Sequence, residues 1–288
     1  MTMKRKTLLK IIGSVGALFI AFMLTRAYLA ARDAGLISRN DYDTTAPNIP
    51  KMMRPSVLVF HKTNGFIHEE GIPAANTMLV QIAAEQGWDV FVTDNGATHS
   101  PEILEQFDIV VWNNVTGDVL THEQRAAMRQ WFLKGGGWIG LHASGGNFSY
   151  KWPWFVDTLI GTEFVGHTLN PQFQDADVLV ANPQGALTNH LPERWRIENE
   201  EWYAFETNPR EKGYEILLTL DEASYVTNGE NWMGLDDQMD GEHPIAWRHE
   251  VSDGRIFYSG IGHQSATYRL PEYREFVRRG MVWAAGVN

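Results

Sequence analysis

The sequence predicts an α/β domain with a mostly parallel sheet, helices on both faces of that sheet, and extra strands in the second half. Residues 56–143 contain apolar, β-branched runs that alternate with segments of helical spacing. The runs are apolar almost throughout, which is typical of strands buried on both faces of a parallel sheet. Beyond residue 147, apolar runs follow one another with only weak helical segments between them. This change of rhythm indicates added strands in the second half.

The elements of the first half alternate regularly. The last of its helices is opened by a capping box, in which Thr121 is the cap and Gln124 reaches back to it, and it is closed by glycine. The predicted strands are 56–62, 89–94, 108–115 and 137–143, and the predicted helices are 72–88, 100–107 and 121–137.

The second half contains mainly strands and ends in one amphipathic helix. In that helix Tyr273, Phe276 and Val277 lie on one side, as expected for a helix that packs on the sheet. The predicted strands are 178–182, 214–221, 243–252 and 254–263, and the closing helix is 270–286.

The N-terminus is predicted to be a separate unit. A basic flank precedes an uninterrupted apolar run, residues 11–25, which is typical of a secretory signal or a signal anchor. No clean A-x-A cleavage site follows, so an uncleaved anchor is favoured over a secreted, processed protein. We therefore expect a signal-anchor or transmembrane segment at 1–32, a polar linker at 33–54, and a domain at 55–288 on the periplasmic or extracytoplasmic side of the cell membrane.

Composition excludes several classes of protein. The formal net charge of −11 argues against nucleic acid as a partner, because phosphate backbones require a basic face. The absence of cysteine excludes disulfides, thiolate metal sites and a cysteine nucleophile. The 11 tryptophans are many for this length; some are expected in the core, and a surplus is common where flat apolar ligands such as sugar rings are stacked.

Several polar side chains follow predicted strands. Ligands of open α/β sheets bind at the carboxyl ends of the strands, so we expect these residues to share one edge of the sheet. They are His61, His68, Asn113, His142, Ser144, Asn147, His263 and Gln264.

His142 occupies a glycine-rich bend, Gly140-Leu-His-Ala-Ser-Gly145, at the position where many α/β enzymes carry a nucleophile. An imidazole at that position can transfer protons, bind a metal through a neutral nitrogen, or serve only as a hydrogen-bonding group at the strand end. Ser144 lacks a G-x-S-x-G context, which argues against a serine hydrolase.

The main acidic candidate lies in the segment 197–205, where Glu200 and Glu201 are flanked by Trp202 and Tyr203. In an extended chain the two carboxylates point to opposite faces, so only one can reach the site. Aromatic shielding raises the pKa of a carboxyl group, although a solvated charged edge explains the same residues.

A metal site is an open alternative. His68, His142 and His263 with a glutamate would supply three nitrogens and one oxygen. No H-x-x-x-H or H-x-H pair supports such a site. The sequence therefore predicts no required cofactor and leaves a divalent metal possible.

Several segments, taken together and in order, resemble the ThuA-like family, named for trehalose utilisation. They include VLVFHKTNGFIHEEGIP, GGGWIGLHASG, NEEWYAF and HPIAWRHEVSDGRIFYSGIGH, and the resemblance extends over roughly residues 55–286. It implies a flavodoxin-like fold similar to class I glutamine amidotransferases. Those relatives carry a cysteine where this chain has His142, so glutaminase activity does not transfer. The family is linked to the catabolism of disaccharides and their oxidised, keto forms.

These observations support three hypotheses about function. The first is an isomerase, lyase or hydrolase of an oxidised sugar, working by histidine and glutamate acid–base chemistry. The second is a non-catalytic sugar-binding or envelope interaction module, and the third is a metal-dependent hydrolase. The partner in each case is a small carbohydrate, and the membrane is contacted through the N-terminal helix. The predicted catalytic residues are His142, His68, Glu201 and His263, and the predicted substrate-binding residues are His61, Asn113, Ser144, Asn147, Trp202, Tyr203 and Gln264.

Overall fold

The predicted strand–helix alternation is present in the computed structural model. The structure describes residues 5–33, 37–146, 152–231, 237–239 and 241–287. Asn147, a predicted substrate-binding residue, lies outside this part of the chain. The helices are α1 Arg5–Asp33, α2 Gly71–Gln86, α3 Pro101–Leu104, α4 His122–Leu133 and α5 Pro271–Ala285. The strands are β1 Ser56–Phe60, β2 Asp89–Thr93, β3 Ile109–Asn113, β4 Gly137–Leu141, β5 Phe164–Gly166, β6 Thr168–Asn170, β7 Gln174–Val180, β8 Arg194–Glu200, β9 Ala204–Phe205, β10 Glu215–Leu220, β11 Glu230–Asn231, β12 His243–Val251 and β13 Gly254–Ser259.

The main sheet has nine strands in the order β2-β1-β3-β4-β13-β12-β10-β7-β8. The five strands from β2 to β13 are parallel, and the remaining strands pair antiparallel. The order of the parallel part is that of a flavodoxin-like sheet, with β13 as its fifth strand. The prediction of a mostly parallel sheet extended by second-half strands is confirmed.

Helices cover both faces of the parallel strands. On β13, Phe257 packs against Phe276 of α5, whereas Gly254 on the opposite face lies against Phe132 of α4. All residues of β1, β3 and β4 are buried, which explains why their sequences are apolar without alternation. The capping box of α4 is also confirmed, since Thr121 and Gln124 each bond the backbone of the other.

The N-terminal helix α1 lies outside the domain core. Its segment Ile12–Arg32 spans 21 residues with a mean hydropathy of 1.6, and none of it is buried. By length and composition it is able to cross a membrane.

Candidate functional site

The centre of the site is a cluster of four side chains, His68, His142, Glu201 and His263, which we call the His–Glu cluster. One nitrogen or oxygen atom from each residue lies within 4.8 Å of those of the others. His68, His142 and Glu201 are buried and His263 is partly exposed. The four predicted catalytic residues are therefore brought together, although they are spread over almost 200 positions of the chain.

The carboxyl edge of the parallel strands delivers the three imidazoles. His142 follows β4 directly, His263 follows β13 after a short turn, and His68 lies in the loop between β1 and α2. Neighbouring parallel strands end at the same edge, which is why residues distant in sequence meet there.

The bend at His142 has the sharp geometry predicted for it. The residue has a φ of 45°, in the left-handed region, and it begins a short 3₁₀ turn. Gly146 lies so close to the ring of Tyr203 that a Cβ would collide with it, and Gly145 is pressed against Tyr258 in the same way. The glycines of this motif therefore allow two aromatic rings to pack on the turn.

The ring of His142 is oriented by its neighbours. Its Nδ1 lies 2.8 Å from the carbonyl oxygen of Gly260 and must donate to it, which leaves Nε2 of the neutral ring as an acceptor facing the cluster. Tyr203 stacks on this ring, with its hydroxyl 2.8 Å from Nε2. Burial lowers the pKa of His142 and raises that of Tyr203 well above its usual range. Burial thus disfavours the charged form of both groups.

Glu201 is the acidic member of the cluster. Its Oε2 lies 3.1 Å from Nδ1 of His263 and 3.4 Å from Nε2 of His142. Its Oε1 accepts a hydrogen bond of 2.7 Å from Gln172 and lies 3.4 Å from Nδ1 of His167. Burial alone would raise the pKa of this carboxyl, but the surrounding imidazoles and their hydrogen bonds hold it well below its usual range.

The neighbouring carboxylate, Glu200, faces away from the cluster, as the extended-chain argument requires. It accepts hydrogen bonds from the backbone N–H groups of His263 and Gln264 and from the hydroxyl of Thr267. Burial raises the pKa of Glu200 to about 7. Its position indicates that it holds the loop that carries His263.

Two members of the cluster, His68 and His263, line a cleft of about 510 Å³ at this edge of the sheet. Its walls include the exposed side chains of Phe66 and Ile67 and the half-buried ring of Phe173. Gln264, predicted to bind substrate, also lines the cleft. The wall that combines Phe66 and Phe173 was missed by sequence reasoning, because nothing in the sequence shows that loops after β1 and β6 meet.

The remaining predicted binding residues lie near the strand ends but make internal contacts. The amide of Asn113 donates to the carbonyl of Ile72 and to Asn76, so it holds α2 against β3. The hydroxyl of Ser144 donates to the carbonyl of Trp112, and Ser144 is fully buried.

Two further predicted residues, His61 and Trp202, also lie outside the His–Glu cluster. His61 is paired through its backbone N–H with the carbonyl of Thr93, and burial lowers the pKa of its imidazole against the opposing charge of Asp94. Trp202 is buried and donates through its indole N–H to the carbonyl of Gln174. Tyr203, in contrast, contacts the cluster directly.

Fold and site together define a flavodoxin-like α/β protein with a histidine–glutamate pocket at the carboxyl edge of its parallel strands. The chain matches the family model described as ThuA, trehalose utilisation, over residues 56–284, and it belongs to this family. The comparison with curated proteins gives no match.

Solved structures agree with the fold. A ThuA-like protein from Bacteroides uniformis is 24% identical with a TM-score of 0.67, and the match covers 84% of this chain and 95% of that one. A ThuA-like protein from Parabacteroides merdae is 20% identical with a TM-score of 0.61, covering 81% and 91% of the two chains. At these identities the likeness shows the fold.

Proposed function

We propose that this protein processes a disaccharide, or its keto form, at the His–Glu cluster. The observation that carries the proposal is the convergence of three imidazoles and one carboxylate beside an aromatic-walled cleft that two of the imidazoles, His68 and His263, line. The description of the family, trehalose utilisation, is the reason for proposing a disaccharide as the substrate. A cleft of this size lies within the range of about 300–1,000 Å³ that is usual for small-molecule sites.

We further propose that the four side chains hold a divalent transition metal. Three imidazole nitrogens and one carboxylate oxygen are a donor set typical of zinc and related ions. Nδ1 of His68 is buried without a hydrogen-bond partner among the described residues, as expected of an atom that awaits a ligand. A bound metal would polarise a carbonyl or hydroxyl oxygen of the substrate.

The protein's own groups have distinct roles in this proposal. The carbonyl of Gly260 fixes the tautomer of His142 so that its Nε2 lone pair faces the cluster. Gln172 holds Glu201 through its second oxygen, Oε1. Tyr203, kept protonated by burial, supplies a hydroxyl that can donate to a substrate oxygen once it leaves His142.

A metal-free reaction is a second candidate, supported by the opposed pKa shifts of two histidines. Burial and the neighbouring imidazoles lower the pKa of His68 well below its usual value. For His263 burial acts in the same direction, but the adjacent Glu201 outweighs it and raises the pKa. Two groups whose pKa values are pushed apart can serve as base and acid, here His68 and His263 respectively.

The two candidates differ in metal dependence. Full-length protein would be purified without metal-affinity resin, and its metal content would be measured by mass spectrometry. The same samples would be incubated with native and keto disaccharides, and the products would be separated by chromatography and NMR. The metal proposal expects about one metal per chain, lost in His142→Ala together with turnover. A chelator-treated protein that keeps full turnover would instead support the acid–base reaction.

A third outcome would show that the protein is a binding module. In that case a sugar would bind saturably without any product, and substitution of Phe66 or of His142 would reduce binding by comparable factors. This result would contradict both catalytic candidates.

We propose that α1 anchors the protein in the cell membrane with the domain on the extracytoplasmic side. The length and hydropathy of Ile12–Arg32, together with the basic residues before it, support this proposal. Cell fractionation, together with protease treatment of spheroplasts or protoplasts, tests it, since only a domain outside the cytoplasmic membrane would be digested.

A further inference from the structure

The segment between α1 and β1 is bound to the domain along a defined path. Ser38 accepts a hydrogen bond from the backbone N–H of Asp118, and the backbone N–H of Arg39 donates to the carbonyl of Asn64 at 2.7 Å. Asp43 is held by the ammonium of Lys62. We call residues 38–45 the arm. Its described hydrogen-bond partners lie on loops at the carboxyl edge of the parallel strands and at the start of α4.

The arm brings a cationic side chain to the cleft. Arg39 lines the cleft together with Phe66, His68 and Phe173. Within the part of the chain that the structure describes, only the backbone of Arg39 is hydrogen-bonded, and its guanidinium is left for a ligand. An arginine in this state at the rim of a polar cleft is suited to donate several hydrogen bonds to one molecule.

We propose that Arg39 is a specificity-determining residue that binds the second ring of a disaccharide, and this inference rests on the proposed function. The ring that reacts lies at the His–Glu cluster. The ring attached to it lies between Phe66 and Phe173, where Arg39 donates to its hydroxyl groups.

The arrangement of the aromatic rings supports a second subsite immediately outside the cluster. The ring centroid of Phe173 lies 4.9 Å from that of His263, and the centroid of Phe66 lies 4.9 Å from that of His68. Phe66 is 40% exposed, a large apolar area for a residue at a polar cluster. Aromatic faces at the entrance of a polar site are suited to the apolar faces of sugar rings.

The charges of the cleft favour a neutral glycosyl ring over an anionic one. Glu69 and Glu70 line the same cleft as Arg39, and both are exposed. A hydroxyl-rich ring can accept from the guanidinium and donate to the carboxylates, whereas a uronic acid would face two like charges.

The test compares disaccharides with monosaccharides on full-length protein. Trehalose, its keto form, and glucose with its keto form would be used, with binding measured by calorimetry and turnover by product analysis. Arg39→Ala is expected to weaken disaccharide binding about tenfold or more, the loss typical of a charge-assisted hydrogen bond, and to raise KM while kcat stays within about twofold. Monosaccharide binding is expected to stay within about twofold. Arg39→Lys should recover part of the loss.

Lys51→Ala is the matched control, since this cationic residue belongs to the same N-terminal segment but is absent from the residues that line the cleft. Equal losses for one-ring and two-ring sugars, or no loss at all, would overturn the assignment of Arg39 while leaving the proposed function intact. Wild-type protein that neither binds nor converts any of the sugars would overturn both.

Discussion

The parallel and antiparallel parts of the sheet contribute different chemistry to one site. The parallel strands end in the loops that carry the imidazoles of His68, His142 and His263. The antiparallel extension contributes Glu201 and Tyr203, which follow its edge strand β8. The nitrogen donors thus come from a regular scaffold, whereas the carboxylate that organises them comes from the added one. The site forms only where the two parts meet.

The strongest test of these two contributions is to remove the negative charge that the antiparallel part supplies. Glu201→Gln keeps the shape of the side chain but leaves His142 and His263 without their anionic partner. Loss of one partner of a buried charged pair costs about 3–5 kcal/mol, so we expect metal affinity or kcat/KM to fall about 10²–10⁴-fold. Metal content and steady-state kinetics measure this effect. A variant with wild-type metal content and turnover would show that Glu201 is not part of the working site.

Large-to-small substitutions in the core test whether the parallel and antiparallel parts of the sheet are equally well packed. Ile139→Ala in the central strand β4 is expected to lower the free energy of unfolding by about 2–5 kcal/mol, because its neighbours on both sides hold the cavity open. For Ile197→Ala in the edge strand β8, the loss of free energy of unfolding should lie at the lower end of that range, because an edge strand can relax into the space left by the side chain. Urea denaturation of chains that begin at Ile37 measures both values. The opposite order would contradict the view of the parallel part as the more rigid scaffold.

The pH dependence of stability tests the role of Glu200 at the junction. Burial raises its pKa in the folded protein to about 7 from 4.5, so between these values the native state holds a proton that the unfolded chain has lost. The contribution of this group to the free energy of unfolding is fully present below about pH 4.5 and declines as the pH rises toward 7. Above pH 7 it no longer changes. The total decline is at most about 3 kcal/mol.

Glu200→Gln, which cannot ionise, should show a flatter stability profile than the wild type over this range. The measurement is urea denaturation at several pH values, with the exposed Glu193→Gln as the control that keeps the wild-type slope. Identical profiles for wild type and Glu200→Gln would contradict the raised pKa.

The smallest effect is expected at the arm, whose described hydrogen bonds go to the parallel part and its helix α4. Asp43 accepts from Nζ of Lys62 and from the backbone N–H of Gly96, each at 2.8 Å. Asp43→Ala leaves a nearly buried ammonium unpaired and should cost about 1–3 kcal/mol of stability. Asp41→Ala, whose contact to Asn64 uses only its backbone carbonyl, is the control and should cost little. Faster proteolysis near residue 40 in Asp43→Ala alone would support the prediction, and equal rates in both variants would contradict it.

The parallel part was the more predictable from sequence, for a physical reason. Its strands are buried on both faces and its helices carry local caps, so each element is visible within about ten residues of sequence. The meeting of His68, His142 and His263 followed from the rule for strand ends. The alternation of an extended chain also indicated that only one of Glu200 and Glu201 faces the site, but it did not show which of the two.

The contacts that sequence reasoning missed depend on long loops. His167 and Gln172, which contact the carboxylate of Glu201, lie in a segment of very short strands without a clear period. Arg39 lies in a polar stretch that resembled a linker, and only its backbone pairing with Asn64 reveals its place. Such contacts are set by tertiary packing, which no local pattern encodes.

The short connection between α1 and the arm limits the distance between the cleft and the end of that helix. Asp33 ends the helix and Arg39 already lines the cleft, so five residues separate them, and the six steps from one to the other reach no more than about 22 Å even when fully extended. With α1 embedded in a bilayer, the entrance would stay within one small protein diameter of the lipid headgroups. Glycans carried on the membrane itself would then be able to reach the entrance by lateral diffusion, as well as sugars arriving from the bulk.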